Sequence, residues 1–243
     1  MRPLQFLRDL FCLKLKREHR LKPTSCPNVP QMDVLAHHPI NFGGGPFYSA
    51  IHPDDASTAD MRHVGKVLRA SERYDTVAPG GKRPLWATEV WWETNPPDTF
   101  AGVSEATQAR FLEAAQYVLW RQGASVVVLL QIRDSAYDPA YPYLSYQSGI
   151  YFADGQPKLS AQAFRFPFVT EPRGKAGRLV AWVKAPASGT LTIERHVAGT
   201  WQPVRTLAVS AGGVYTTKLG LSGRQELRAT LGDEQSIVWV QRK

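Results

Sequence analysis

The sequence predicts an α/β fold followed by a small all-β domain, and three observations predict it. Short apolar, strand-like runs alternate with amphipathic helical segments as far as residue 168. The unbroken run Val126-Val127-Val128-Leu129-Leu130 lacks alternation, which is how a parallel-sheet strand covered on both faces reads. From Arg178 onward the pattern becomes short alternating runs punctuated by Gly, Pro and Ser turns.

Residues 3 to 20 space Leu4, Leu7, Leu10 and Phe11 as one apolar stripe among Arg and Lys, which predicts an amphipathic helix that covers a sheet. The proline-rich segment Lys22 to Pro30 predicts a loop. Met32 to Ala36 reads as a short strand ending at His37 and His38, and Gly43-Gly44-Gly45, which lacks the residues of a phosphate loop, reads as a turn. Ser57 or Thr58 caps a helix whose stripe is Met61, Val64, Val67 and Leu68. Leu85 to Val90, set between Pro79-Gly80-Gly81 and Thr94-Asn95-Pro96-Pro97, predicts a buried strand. Ser104 opens a helix from Glu105 to Gln122 with Phe111, Leu112, Ala115, Val118 and Leu119 on its apolar face, and Gly123 ends it. A strand from Ala124 to Ile132 and a last helix from Lys158 to Phe166 follow. This order is half of an eight-unit α/β barrel or a small doubly wound sheet. The later runs, Leu179 to Val183, Thr190 to Arg195, Val204 to Val209, Val214 to Leu219, Glu226 to Leu231 and Ser236 to Val240, predict a β-sandwich. The expected domains are therefore 1-170 and 176-243.

At 243 residues, with 43% hydrophobic and 21% charged side chains, the chain is long enough for one large domain or two smaller ones. The net charge of +8 is spread along the sequence and accompanies no nucleic-acid motif, so no specific nucleic acid is expected as partner. No run reaches the length of a membrane span. Charges at Arg8, Asp9, Lys14, Lys16 and Arg17 break up what a signal peptide would keep apolar. Cys12 and Cys26 lack the histidine spacing of a zinc site and form one disulfide or none; His37 and His38, pointing to opposite faces of a strand, do not make a metal site, and no cofactor is expected.

The stretch Trp86-Ala87-Thr88-Glu89-Val90-Trp91-Trp92 sets one carboxylate at the C-terminal end of a strand beside three tryptophans. That end of a parallel α/β sheet is where ligands bind. Tryptophan faces stack on the C–H faces of sugar rings while polar neighbours meet the hydroxyls. His38, Trp91, Trp92 and Gln131 are accordingly the candidate sugar-binding residues, with at least one tryptophan expected in the core.

This stretch resembles the seventh strand of the (β/α)8-barrel retaining glycoside hydrolases, the clan of cellulase-like, xylosidase-like and arabinofuranosidase-like enzymes. Asp33 to Ile40 resembles the sixth strand, where relatives often read His-Pro-Tyr, and Gly123 to Asp134 with Ser148-Gly149-Ile150-Tyr151 and Lys158 resembles the eighth. The resemblance covers roughly residues 1 to 168 and implies a partial (β/α)8 (TIM) barrel, extracellular use if the parent protein is exported, and an oligo- or polysaccharide substrate. It implies that Glu89 is the nucleophile. Retaining chemistry also needs a second carboxyl group about 5 Å away. In the clan an Asn-Glu pair supplies it, and this sequence contains none; Ile40 also stands where the orienting tyrosine would be. Glu93 and Asp134 are the two strand-end carboxylates considered as replacements. The expected function is therefore the C-terminal part of a glycosidase, truncated or completed by association with another polypeptide. The competing expectations are a non-catalytic carbohydrate-binding or structural protein and a basic surface-binding protein that uses the N-terminal helix and the Lys/Arg-rich sandwich.

Overall fold

The computed structural model describes residues 1–17, 20–41 and 44–241. The protein is a mixed α/β chain that divides into two compact units, Met1–Trp91 with Val118–Leu130, and Trp92–Tyr117 with Gln131–Lys243.

In the first unit, helix α1 (Pro3–Leu10) starts with a proline in its first turn and buries Leu4 and Leu7. It is shorter than the expected 3 to 20. Cys12 takes a positive φ of 51°, which breaks the helix, and the apolar period then switches to two in Leu13-Lys14-Leu15-Lys16. Strand β1 (Leu13–Lys16) pairs antiparallel with β2 (Arg20–Pro23), so Leu13 and Leu15 belong to a hairpin and not to the helix face. Glu18 and His19 of the expected helix, and Gly43 of the expected turn, lie outside the described residues. Cys12 and Cys26 form a disulfide with their Cα atoms 5.4 Å apart.

Strand β3 (Leu35–His37) follows. A short 3-10 turn at Thr58–Asp60 leads into α2 (Met61–Arg73), and Ser57 and Asp60 close a reciprocal capping box ahead of it. Met61, Val64, Val67 and Leu68 are all buried, as the stripe predicts. Strand β4 (Leu85–Val90) matches the expected bounds. Helix α3 (Glu105–Arg121) has residues 105 to 117 in the second unit and 118 to 121 in the first; the Ser104 hydroxyl accepts the Thr107 N–H at 3.2 Å. It is buried all the way round from 112 to 119, Glu113 and Gln116 included, so it has no single apolar face there. Strand β5 (Val126–Leu129) completes a parallel sheet of order β3-β4-β5. The expectation that β5 is covered on both faces is not met: it is an edge strand, its residues are only partly shielded, and Val128 is 42% exposed.

In the second unit, α4 (Leu159–Arg165) precedes strands β6 (Phe168–Arg173), β7 (Arg178–Lys184), β8 (Gly189–Val197), β9 (Thr200–Val209), β10 (Val214–Ser222), β11 (Gln225–Leu231), β12 (Glu234–Gln235) and β13 (Trp239–Gln241). They form two antiparallel sheets, one of order β10-β7-β6 and one of order β12-β11-β8-β9 with β13 also on β11. Leu191 and Ile193 of β8 and Leu227, Ala229 and Leu231 of β11 are buried while the residues between them are more open, the alternation of sheets with one core face. The β region begins earlier than its sequence pattern suggests, at Phe168, and the expected strand Ser236 to Val240 is replaced by β12 and β13.

Candidate active site

In β4, Leu85, Ala87 and Val90 are buried and Thr88 and Glu89 are half-buried, so Glu89 emerges at the C-terminal end of the strand. The parallel register pairs His37 with Ala87, and His38, one residue on, reaches the same edge. Its Nδ1 lies 2.7 Å from Glu89 Oε2, with the two side chains 56% and 26% exposed. The contact sets an imidazole nitrogen against one carboxylate oxygen, an ion pair whenever the ring carries its second proton. The contact therefore holds Glu89 in place while leaving the pair open to solvent.

His37 serves a different purpose. Its Nε2–H donates to the Ala56 carbonyl at 2.8 Å, and burial pushes its pKa down, so it is a neutral, structural imidazole. Both histidines line a cavity of about 450 Å³ together with Ile40, Asn41 and Tyr48. Asn41 Nδ2 is engaged with the Gly45 carbonyl at 3.1 Å, so the cavity wall is largely set before any ligand arrives. Its volume falls in the range of small-ligand sites.

Of the predicted site residues, the structure brings Glu89 and His38 into direct contact. Trp91, in the same unit, is half-buried. Trp92 and Gln131 belong to the second unit. Trp92 is buried edge-on against Phe111, with ring centroids 5.4 Å apart, and its carbonyl accepts from Gln108 Nε2 at 2.8 Å. It is the core tryptophan expected among the three. Gln131 Nε2 donates to the Tyr146 carbonyl at 2.8 Å.

The second unit also holds a buried charged cluster. Lys158 Nζ lies 2.8 Å from Asp134 Oδ1 and donates to Thr94 Oγ1 at 2.8 Å and to the Gln147 carbonyl at 2.9 Å; its side chain has no exposed surface. Asp134 Oδ1 also accepts the Gly149 N–H at 2.8 Å. Glu93 Oε2 accepts the Gln147 N–H at 3.2 Å. Burial raises the pKa of Glu93, with Asp98 and Asp134 adding to the rise, and burial likewise raises Asp134 and lowers Lys158, each of that pair partly restored by the other. Both candidate replacement acids are thus committed to internal bonds and buried, which counts against the catalytic role considered for them. In the sequence Lys158 reads as the start of the last helix and as part of the stretch resembling the eighth strand and its lead into that helix. No local pattern marks it as a partner of Asp134, 24 positions away.

Among the described residues, no group of three or more His, Cys, Asp or Glu side chains converges as a metal site would. No helix of the described residues is long and apolar enough to cross a membrane.

No family model and no curated protein matches the chain. Among solved structures it is similar to a family 39 glycoside hydrolase from the gut symbiont Bacteroides cellulosilyticus WH2, with 16% identity and a TM-score of 0.48 over 86% of this chain and 44% of that one. It is also similar to an FMN-binding beta-glucuronidase from Facaelibacterium prausnitzii L2-6, with 15% identity and a TM-score of 0.36 over 87% of this chain and 32% of that one. A third is Bacteroides uniformis beta-glucuronidase 2 covalently bound to cyclophellitol-6-carboxylate aziridine, with 14% identity and a TM-score of 0.34 over 77% of this chain and 24% of that one. The chain spans less than half the length of each. These neighbours are glycosidases.

Proposed function

We propose that this chain is the nucleophile-bearing part of a retaining glycoside hydrolase, a partial (β/α)8 barrel followed by a small β-sandwich, acting on an extracellular oligo- or polysaccharide. The observation that carries the reading is the 2.7 Å contact of His38 with Glu89 at the C-terminal ends of two adjacent parallel strands. A carboxylate held by one oxygen and open to solvent can attack an anomeric carbon. The reading assigns His38 and Trp91 to the sugar site beside Glu89. The acid/base that retention requires is assigned to a polypeptide segment that pairs with an open edge of the β3-β4-β5 sheet.

The test uses 2-deoxy-2-fluoro glycosides with activated leaving groups, which form a glycosyl ester without an acid catalyst and hydrolyse slowly. Intact mass should rise by one glycosyl group, the label should map to the peptide holding Glu89, and Glu89→Gln should abolish it. A second reading, a non-catalytic carbohydrate-binding protein, is favoured by the burial of Glu93 and Asp134. It predicts no adduct with any sugar tried and oligosaccharide affinity unchanged in Glu89→Gln.

A further inference from the structure

The end of β4 opposite Glu89 carries a second concavity. A groove of roughly 830 Å³ in the first unit runs between α2 and β2, with Leu85 at the start of β4 and Ser125 just before β5 in its floor. At strand rise, Leu85 and Glu89 are about 13 Å apart, so the groove is separate from the Glu89 site.

The charged side chains that line the groove are basic among the described residues. Arg62, Lys66, Arg69 and Arg73 follow the i, i+4, i+7, i+11 spacing that aligns side chains along one helix face, and the stripe covers about 16 Å of axis. Arg20 and Lys22 of β2 line the groove with them, and no acidic side chain does among the described residues. The wall is braced from behind: Arg69 pairs with Glu72 at 2.9 Å, and the buried Arg83 donates to the Met32 and Gly81 carbonyls at 2.9 Å each. Arg62, Lys66, Arg73, Arg20 and Lys22 are all exposed. Like charges at Arg62, Lys66, Arg73 and Lys22 on one concave surface raise the local positive potential and favour an anion there.

We infer that this groove binds an acidic polysaccharide, a chain carrying carboxylate or sulfate groups, independently of the Glu89 reading. Arginine forks take both groups in bidentate geometry, and lysine adds a mobile point charge. Helical neighbours stand about 5–6 Å apart, so the stripe offers one cation per step along a slender linear polyanion. The concavity disfavours a flat anionic membrane. Single-stranded nucleic acid binds through stacking platforms of aromatic side chains. Here the lining has one aromatic, Tyr74, and its hydroxyl is tied to the Leu21 carbonyl at 3.3 Å.

The experiment measures binding of the full chain to heparin and to oligogalacturonate by calorimetry, against a single-stranded DNA oligonucleotide of matched charge and anionic phosphatidylserine vesicles. Arg62→Glu with Lys66→Glu is compared with Lys175→Glu and Lys218→Glu, an equal charge change on exposed lysines outside the groove. Arg62→Gln with Lys66→Gln repeats the test should the reversal disturb folding. The expected result is binding to at least one acidic glycan, weakened about tenfold by the groove reversal and less than about twofold by the control. Equal losses in both double variants, no glycan binding by the wild type, or tighter groove-dependent binding of DNA or vesicles would each overturn the inference.

Discussion

His38 Nδ1 and Glu89 Oε2 are 2.7 Å apart, although 51 positions separate the two residues in the chain, and the parallel pairing of β3 with β4 brings them together. The imidazole sits against one carboxylate oxygen and limits how the carboxylate can turn.

Under the proposed function, His38→Phe keeps the ring volume and removes the ring nitrogens. Labelling of Glu89 by a fluoroglycoside should slow several-fold, up to roughly tenfold, as the carboxylate loses its short polar contact. Intact-mass time courses of the two proteins read this directly. Equal labelling rates would mean that His38 positions nothing.

Lys158 and Asp134 have side chains 0% and 1% exposed and form a buried ion pair, with Glu105 and Glu93 adding weaker electrostatic support to the lysine. Lys158→Met should cost about 3–5 kcal/mol because it strands a buried carboxylate. Adding Asp134→Leu to the same chain should recover much of the loss. Urea unfolding of the two single variants and the double variant gives the coupling, and additive losses would show that the charges do not depend on each other.

Glu113 is fully buried, and burial raises its pKa well above the ordinary value against only a weak 3.5 Å contact from the Phe168 N–H and the charge of Arg110. The folded chain therefore holds this proton to higher pH than the unfolded chain does. Its stabilising contribution is complete below the ordinary Glu pKa of about 4.3 and is lost as pH rises from there through the folded value. Glu113→Gln is neutral at every pH, so its stability should fall less with rising pH and should exceed the wild type's near neutrality by about 1 kcal/mol or more. Urea midpoints measured from about pH 4 to pH 8 would show the two curves diverging. Parallel curves would place the proton elsewhere.

Strand β4 and helices α2 and α4 were legible because their patterns are local: Leu85 to Val90 is apolar between turn signals, and Met61, Val64, Val67 and Leu68 fall on one stripe. The hairpin β1-β2 was hidden because Leu13 and Leu15 extend the leucine spacing of α1 by eye, and only the backbone at Cys12 separates them. Strand β6 was hidden by Pro172, which reads as a turn. The sheet tolerates it because β6 is an edge strand, where a missing N–H on the outer side costs no ladder bond. At the candidate site, Glu89 and His38 were legible from where strands end. The Lys158 cluster was not, since Thr94, Asp134, Gln147 and Lys158 meet only after the intervening chain has folded.

The outer side of β5 has a consequence for handling the protein. Val126, Val127, Val128 and Leu129 are strongly β-favouring and uncharged, and they lie on an edge where nothing in the described sheet claims the outward amides and carbonyls. Recovery of soluble material during expression is then governed by how quickly that edge is covered and how crowded the chains are, more than by the melting temperature of the folded state. Dilution, slower synthesis or a lysine placed at Val128 would each act on that race without touching Glu89.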